Sequence, residues 1–206
     1  MDEKFQHILQ QSIRMFNRYG IRSISMDDIC HELAISKKTL YQFVNNKSEL
    51  VEHMLAFQGQ AVETLFLQVK SLNLNSIDTL LEFSKGLGQL LREFKTNPAL
   101  EFDLMKYYPD IYKKHIDSRN KAMSKHIKEN LRQGIKEELY RNDLNPDLIA
   151  GMYIKKMEDI LDPDFFPEGK YSYKLIFKTM FVNHIRGISN ENGIAYFETK
   201  CQNKCL

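Results

Sequence analysis

Between Ser25 and Leu50 the sequence reads SMDDICHELAISKKTLYQFVNNKSEL, a stretch in which hydroxyls, lysines and a tyrosine gather at helix starts. Such groups suit anions, because the exposed N–H groups of a helix start already favour a phosphate oxygen. Ser36 opens one start, and Lys37, Lys38, Thr39 and Tyr41 come close behind it. Ser25 opens an earlier one, with Asp27 and Asp28 complementing the positive helix end. Asn46 opens a third, with Glu49 placed to reach back and Lys47 in the first turn, where a cation is unfavourable unless an anion lies nearby. A DNA phosphate would supply that anion.

Short helices must carry these groups. Ile29, Leu33 and, with less weight, Cys30 give the first a buried face that ends at Ala34-Ile35; Leu40 and Phe43 supply the inner face of the second. This spacing describes a helix-turn-helix docking on DNA. Lys37 and Lys38 fall at base edges or nearby phosphates, Thr39 and Tyr41 at phosphates, Ser36 at a cap and backbone contact, and Lys47 at a phosphate by the next helix start, with Ser25 adding one more backbone contact. Phe5, Ile8, Leu9, Ile13 and Phe16 keep helical spacing in a buttressing helix that Gly20 ends.

These residues resemble the DNA-binding domain of TetR-type (tetracycline-repressor-like) transcriptional regulators. The family's usual run is similar to Ser-Lys-Gly-Thr-Leu-Tyr, then His-Tyr-Phe, then a short join containing Pro-Ser-Lys-Glu. Here it stands as Ser36, Lys37, Lys38, Thr39, Leu40, Tyr41, Gln42, Phe43, Val44, Asn45, Asn46 and Lys47. Ile8 to Gly20 also fits the family's first helix, and Gln133-Gly134-Ile135 to Asp143-Leu144-Asn145-Pro146 resembles the join before its last two long helices. Departures are visible too. Ala34 stands where the family often has the turn glycine, Lys38 where it has a small residue, Val44 where it has phenylalanine, and Glu138 where glycine is frequent. A left-handed residue at Ala34 costs roughly 1 kcal/mol or more without glycine.

The remaining chain reads as helix, giving an all-α fold: a three-helix helix-turn-helix DNA-binding domain at 1–48 and a helical ligand-binding and dimerisation domain at 49–206. A long helix from Lys47 to about Lys70 joins the reader to the second domain. Further helices are expected at Ser76 to Lys95, Pro98 to Tyr107, Asp110 to about Glu138, Pro146 to Leu161 and Ser172 to Ile188. No β-type alternation of useful length, internal repeat or flexible linker intervenes.

The resemblance implies a homodimer on a palindromic double-stranded DNA operator, released by a small-molecule effector. The last two expected helices have apolar positions that wrap beyond one stripe, so Met152, Met157, Ile160, Phe177, Met180, Phe181 and Ile185 are candidates for the dimer interface. A largely apolar effector would be enclosed by Phe83, Leu87, Phe94, Phe102, Met105, Tyr108, Met123 and Ile127, with Gly86 and Gly88 leaving space and Tyr107, Tyr108 and His126 as polar anchors. Core packing is the competing account, since Met and Phe fill cores routinely.

Composition bounds the rest. The 206 residues, 43% of them hydrophobic, suffice for a real core. No stretch approaches the roughly 18 apolar residues that span a bilayer, and the acidic start Met1-Asp2-Glu3-Lys4 lacks a signal-peptide pattern. Cys30, Cys201 and Cys205 form no disulfide framework, which favours a reducing cytoplasm; the last two would share a face if the tail is helical. A net charge of +2 argues only weakly for nucleic acid, so the local clustering of lysines matters more. No cofactor or metal is expected. His31-Glu32 begins a zinc-protease string, but Ile35 stands where its second histidine belongs, and Gly86-x-Gly88 lacks a third glycine at Leu91. Two rivals remain: a helical ligand carrier or enzyme with a vestigial reader, and a nonspecific architectural DNA binder.

Overall fold

Asp2 starts the first helix by accepting the Lys4 and Phe5 N–H groups at 2.8 and 3.2 Å, and Gly20, at φ 79°, ends it. The computed structural model describes residues 2–94, 98–159, 166 and 170–202, with the backbone alone at 91–94, 98–99, 173 and 201–202. Along the described chain run α1 (Glu3–Tyr19), α2 (Met26–Glu32), α3 (Lys37–Leu40), α4 (Lys47–Ser71), α5 (Ser76–Phe94), α6 (Pro98–Tyr107), α7 (Pro109–Lys136), α8 (Pro146–Asp159), α9 (Tyr173–Ile188) and α10 (Glu191–Gln202). Among the described residues there is no strand, and no helix is long and apolar enough to cross a membrane.

The chain packs as two compact units, Met1–Thr64 with Leu87–Arg119, and Leu65–Gly86 with Asn120–Leu206; α4, α5 and α7 lend residues to both. In the first, Phe5, Ile8, Leu9, Ile13 and Phe16 of α1 meet Ile29, Leu40, Leu50 and Met54, as their helical spacing predicts. Leu100 and Leu104 of α6 complete this core, so the reader is built on a helix from much later in the chain.

The turn between α2 and α3 is a Schellman motif: the Ile35 N–H donates to the Cys30 carbonyl at 3.0 Å and the Ala34 N–H to that of His31 at 3.1 Å. It needs a left-handed residue, and Ala34 supplies it at φ 50°. The end of α7 repeats the device, with Leu139 N–H donating to the Gly134 carbonyl, Glu138 N–H to that of Ile135, and Glu138 at φ 56°. Both positions are those where the resembled family carries glycine. Relief of the side-chain clash outweighs the added freedom of the unfolded chain, so Ala34→Gly and Glu138→Gly should each stabilise the protein by about 0.5–1 kcal/mol. Urea melts followed by circular dichroism would show this, and an unchanged midpoint for both would contradict the strain.

In the second unit Ile77 and Leu81 of α5, Leu131 of α7, Tyr140, Leu144, three residues of α9 and Phe197 of α10 form a separate core. Phe181 and Ile185, expected on a dimer surface, belong here instead: they are 3% and 0% exposed within the single chain, leaving no side-chain surface for a partner. The space expected at Gly86 is likewise filled, since a Cβ there would lie 2.4 Å from Leu65 Cδ1. Helix α10 was not among the expected helices. Asn190 caps it, accepting the Gly193 N–H at 2.9 Å, and the Tyr196 hydroxyl donates to Asp78 Oδ2 at 2.5 Å. Cys205 lies outside the described residues.

Candidate nucleic-acid interface

Ser36 caps α3, its Oγ accepting the Thr39 N–H at 3.1 Å and sharing a 2.9 Å hydrogen bond with Thr39 Oγ1. Leu40 is fully buried, which fixes the roll of α3 and leaves Lys37, Lys38 and Tyr41 exposed on its outer side and at its end. The expected cluster is therefore assembled and solvent-facing, although α3 is four residues long and continues as turn through Phe43. Lys37 is not free: its Nζ lies 2.8 Å from Asp27 Oδ2 in α2, and this hydrogen-bonded partner raises the ammonium's pKa.

Ser25 forms a full capping box with Asp28. Its Oγ accepts the Asp28 N–H at 3.1 Å, and both its hydroxyl and its own N–H donate to Asp28 Oδ2, at 2.6 and 2.7 Å. These two donors hold the Asp28 carboxyl below the usual carboxylate range. Since the Ser25 proton is engaged, a DNA phosphate would have to displace Asp28 to receive it.

Lys47 departs from the expectation. Its ammonium turns inward, donating to the Ile21 carbonyl and lying 5.8 Å from the centre of the Phe16 ring. Burial lowers its pKa, partly opposed by the charges of Asp103 and Asp28. The counter-charge that its position demanded thus comes from the protein. Lys47→Met should lower stability by about 1 kcal/mol, the usual net contribution of one hydrogen bond, while the salt dependence of DNA binding stays the same. A salt slope reduced by one contact with an unchanged melting temperature would restore Lys47 to the phosphate role.

A second set of contacts escaped the sequence because its partners lie far apart in the chain. Asp103 Oδ2 of α6 accepts the Arg22 N–H at 3.1 Å, and Arg22 Nη1 donates to the Tyr107 hydroxyl at 2.9 Å. A Cβ on Gly20 would meet the same Asp103 oxygen at 3.0 Å. Helix α6 thereby holds the segment that leads into Ser25 and α2.

The expected effector residues are scattered. Phe83 stacks on Phe66 at 3.8 Å, and Phe66 stacks on His126 at 3.9 Å, while Met123 is half-buried and Ile127 packs on the second core. In the first unit Leu87 is half-buried and Tyr108 packs against the core, but Phe102 and Met105 are 58% and 57% exposed and enclose nothing. The Phe94 side chain lies outside the described residues. An open hollow on α7 is lined by Lys121, Ser124, Lys125, Lys128, Glu129 and Arg132, a cationic rather than an apolar surface. Among the described residues no cluster of three His, Cys, Asp or Glu side chains is placed to hold a metal ion.

Of the expected interface residues, Met152 is 57% exposed, Met157, Phe177 and Met180 are half-buried, and Ile160 lies outside the described residues. Leu148 on α8 and Leu175 on α9, which the apolar pattern did not single out, are exposed too. Helices α8 and α9 meet where the Tyr153 ring lies 4.2 Å from that of His184, and burial pushes the His184 pKa down to about 4.

The profile of bacterial regulatory proteins of the tetR family matches residues 8–54, covering most of α1, all of α2 and α3 and the start of α4. Residues 8–54 are thus a TetR-family DNA-binding segment. Over 165 residues this regulator is 27% identical to YvaF of Bacillus subtilis, an uncharacterized HTH-type transcriptional regulator, spanning 78% of this chain and 82% of that one. Its fold is similar to that of the TetR family transcriptional regulator PfmR from Thermus thermophilus, with a TM-score of 0.65 at 17% identity over 89% and 99% of the two chains. It is also similar to the ketosteroid transcriptional regulator KstR2 of Mycobacterium tuberculosis, with a TM-score of 0.64 at 19% identity over 93% and 97%. With that segment and these relatives, the chain is a helix-turn-helix transcriptional regulator and not an enzyme.

Proposed function

We propose that this regulator is a cytoplasmic repressor that binds a palindromic operator as a homodimer through Ser36, Lys37, Lys38, Thr39 and Tyr41, and that a small molecule releases it. The observation that carries this reading is the Ser36-capped α3 with Leu40 buried beneath it and Lys37, Lys38 and Tyr41 left in solvent. Ser25 contributes mainly as a cap. Residues 1–48 act as the reader and 49–206 as the effector and dimerisation part.

The exposed apolar residues Leu148 and Met152 of α8 and Leu175 of α9 support a second copy as the occupant of that face. Two short readers then address half-sites about one DNA turn, or a multiple, apart. Met152→Glu should shift the protein from dimer to monomer in sedimentation, and an unaltered dimer would remove this face from the interface.

The Phe83–Phe66–His126 stack, beside Met123 on α7, is where we place the effector, a planar or largely apolar molecule; similarity in fold to a ketosteroid regulator supports that class. Binding that favours one arrangement of the readers would weaken DNA by the ratio of its affinities for the two states, and DNA would weaken the effector equally. The test is fluorescence-anisotropy titration against DNA from upstream of its own gene and a scrambled duplex, at two salt concentrations. A preference of about a thousandfold supports specific regulation; equal, weak binding to both contradicts it for this DNA.

A further inference from the structure

We propose that Asp27 is a specificity-determining residue of the reader, acting through Lys37 by occupying the place that a DNA phosphate would otherwise take. The inference rests on the assignment of α3 as the docking helix.

Lys37 is the first residue of α3, where no acidic side chain offsets the positive helix end and where Lys38 adds a second cation. Its counter-charge comes from the first turn of the other helix of the motif. Asp27 Oδ2 lies 2.8 Å from Lys37 Nζ, with both side chains largely exposed, so the pair sits in solvent on the reader and not in its core. As a surface pair it contributes little to stability. Its effect lies in what it permits Lys37 to bind.

An ammonium has three N–H donors, and one engaged by Asp27 leaves two for other acceptors. A guanine O6/N7 edge is uncharged and can accept from them while the bridge persists. A phosphate cannot do so cheaply, because it would bring a second negative charge against the Asp27 carboxylate. Nonspecific binding consists almost entirely of phosphate contacts. Asp27 therefore handicaps nonspecific DNA more than it handicaps an operator whose base edge Lys37 reads, which is discrimination by penalising the wrong partner.

The experiment first lets the full-length wild-type protein select its tightest duplex from a randomised pool. Anisotropy titrations then compare that duplex with a scrambled one, across a range of salt, for wild type, Asp27→Asn, Asp27→Glu, Lys37→Ala and the Asp27→Asn/Lys37→Ala double variant. Asp27→Asn should bind scrambled DNA about three- to tenfold more tightly, with a salt slope steeper by about one contact, while the selected duplex gains less than twofold. Asp27→Glu should restore the wild-type ratio, and in the Lys37→Ala background Asp27→Asn should no longer change it. Equal gains on both duplexes, or an unchanged ratio, would overturn the proposal while leaving the docking helix intact. A wild type that selects nothing would overturn the docking assignment, and the role of Asp27 would fall with it.

Discussion

Replacing Lys37 and Lys38 together by alanine should weaken operator binding by about a hundredfold at physiological salt, since a good base contact contributes about 1–3 kcal/mol and a lost phosphate contact adds to it. Both side chains are in solvent, so the melting temperature should stay within a degree or so of wild type. Each substitution alone separates the roles. Lys37→Ala should alter which duplexes are preferred, whereas Lys38→Ala at a phosphate should weaken all duplexes alike and lower the salt slope by about one. Anisotropy over a panel of single-base operator variants reads this directly. A double variant that binds like wild type would mean that α3 does not enter the groove.

A large loss of stability is expected in the second unit, at Gly134. A Cβ there would come within 2.1 Å of the Tyr140 ring, which is fully packed in the core. The ring cannot simply swing aside. Its hydroxyl donates to Asn130 Oδ1 at 3.1 Å, and Asn130 Nδ2 donates to the Ser76 carbonyl at 2.9 Å, so displacing Tyr140 also breaks a buried relay. Overpacking and orphaned polar groups together should cost about 3 kcal/mol or more in Gly134→Ala. Gly151 provides the control, because a Cβ there meets nothing within 4 Å, and Gly151→Ala should be neutral or slightly stabilising. Urea melts by circular dichroism would compare them. Equal midpoints for the two variants would contradict the packing at Tyr140.

What the sequence could disclose was local. Ser25 and Ser36 each cap a helix through a residue three positions ahead, and both starts fall where the hydroxyls indicated. Ala34 and Glu138 stood out by comparison with a family, and both are left-handed. Lys47 was misjudged because its acceptor, the Ile21 carbonyl, is brought to it by tertiary folding. The Asp103 and Tyr107 contacts to Arg22 were hidden for the same reason. Helix α10 gave a weak pattern, with Phe197 the one fully buried large side chain among its described residues. Phe181 and Ile185 show the limit of periodicity: an apolar stripe announces burial without saying against what.

The late position of Phe197 in the second core has a consequence during synthesis. The buried residues of the first core come from α1 to α4 and the turns between them, and then from Leu100 and Leu104 of α6. Ile77 and Leu81 leave the ribosome before either of these, yet their companions Phe181, Ile185, Ile188 and Phe197 are translated near the close of the described chain. Between the emergence of α6 and that of α9 and α10 the nascent polypeptide therefore carries a folded reader trailed by helices whose apolar sides have no cover. Such an interval invites chaperones and misassociation, and a premature stop after α6 but before α10 would release a chain able to fold its DNA-docking end but not the rest.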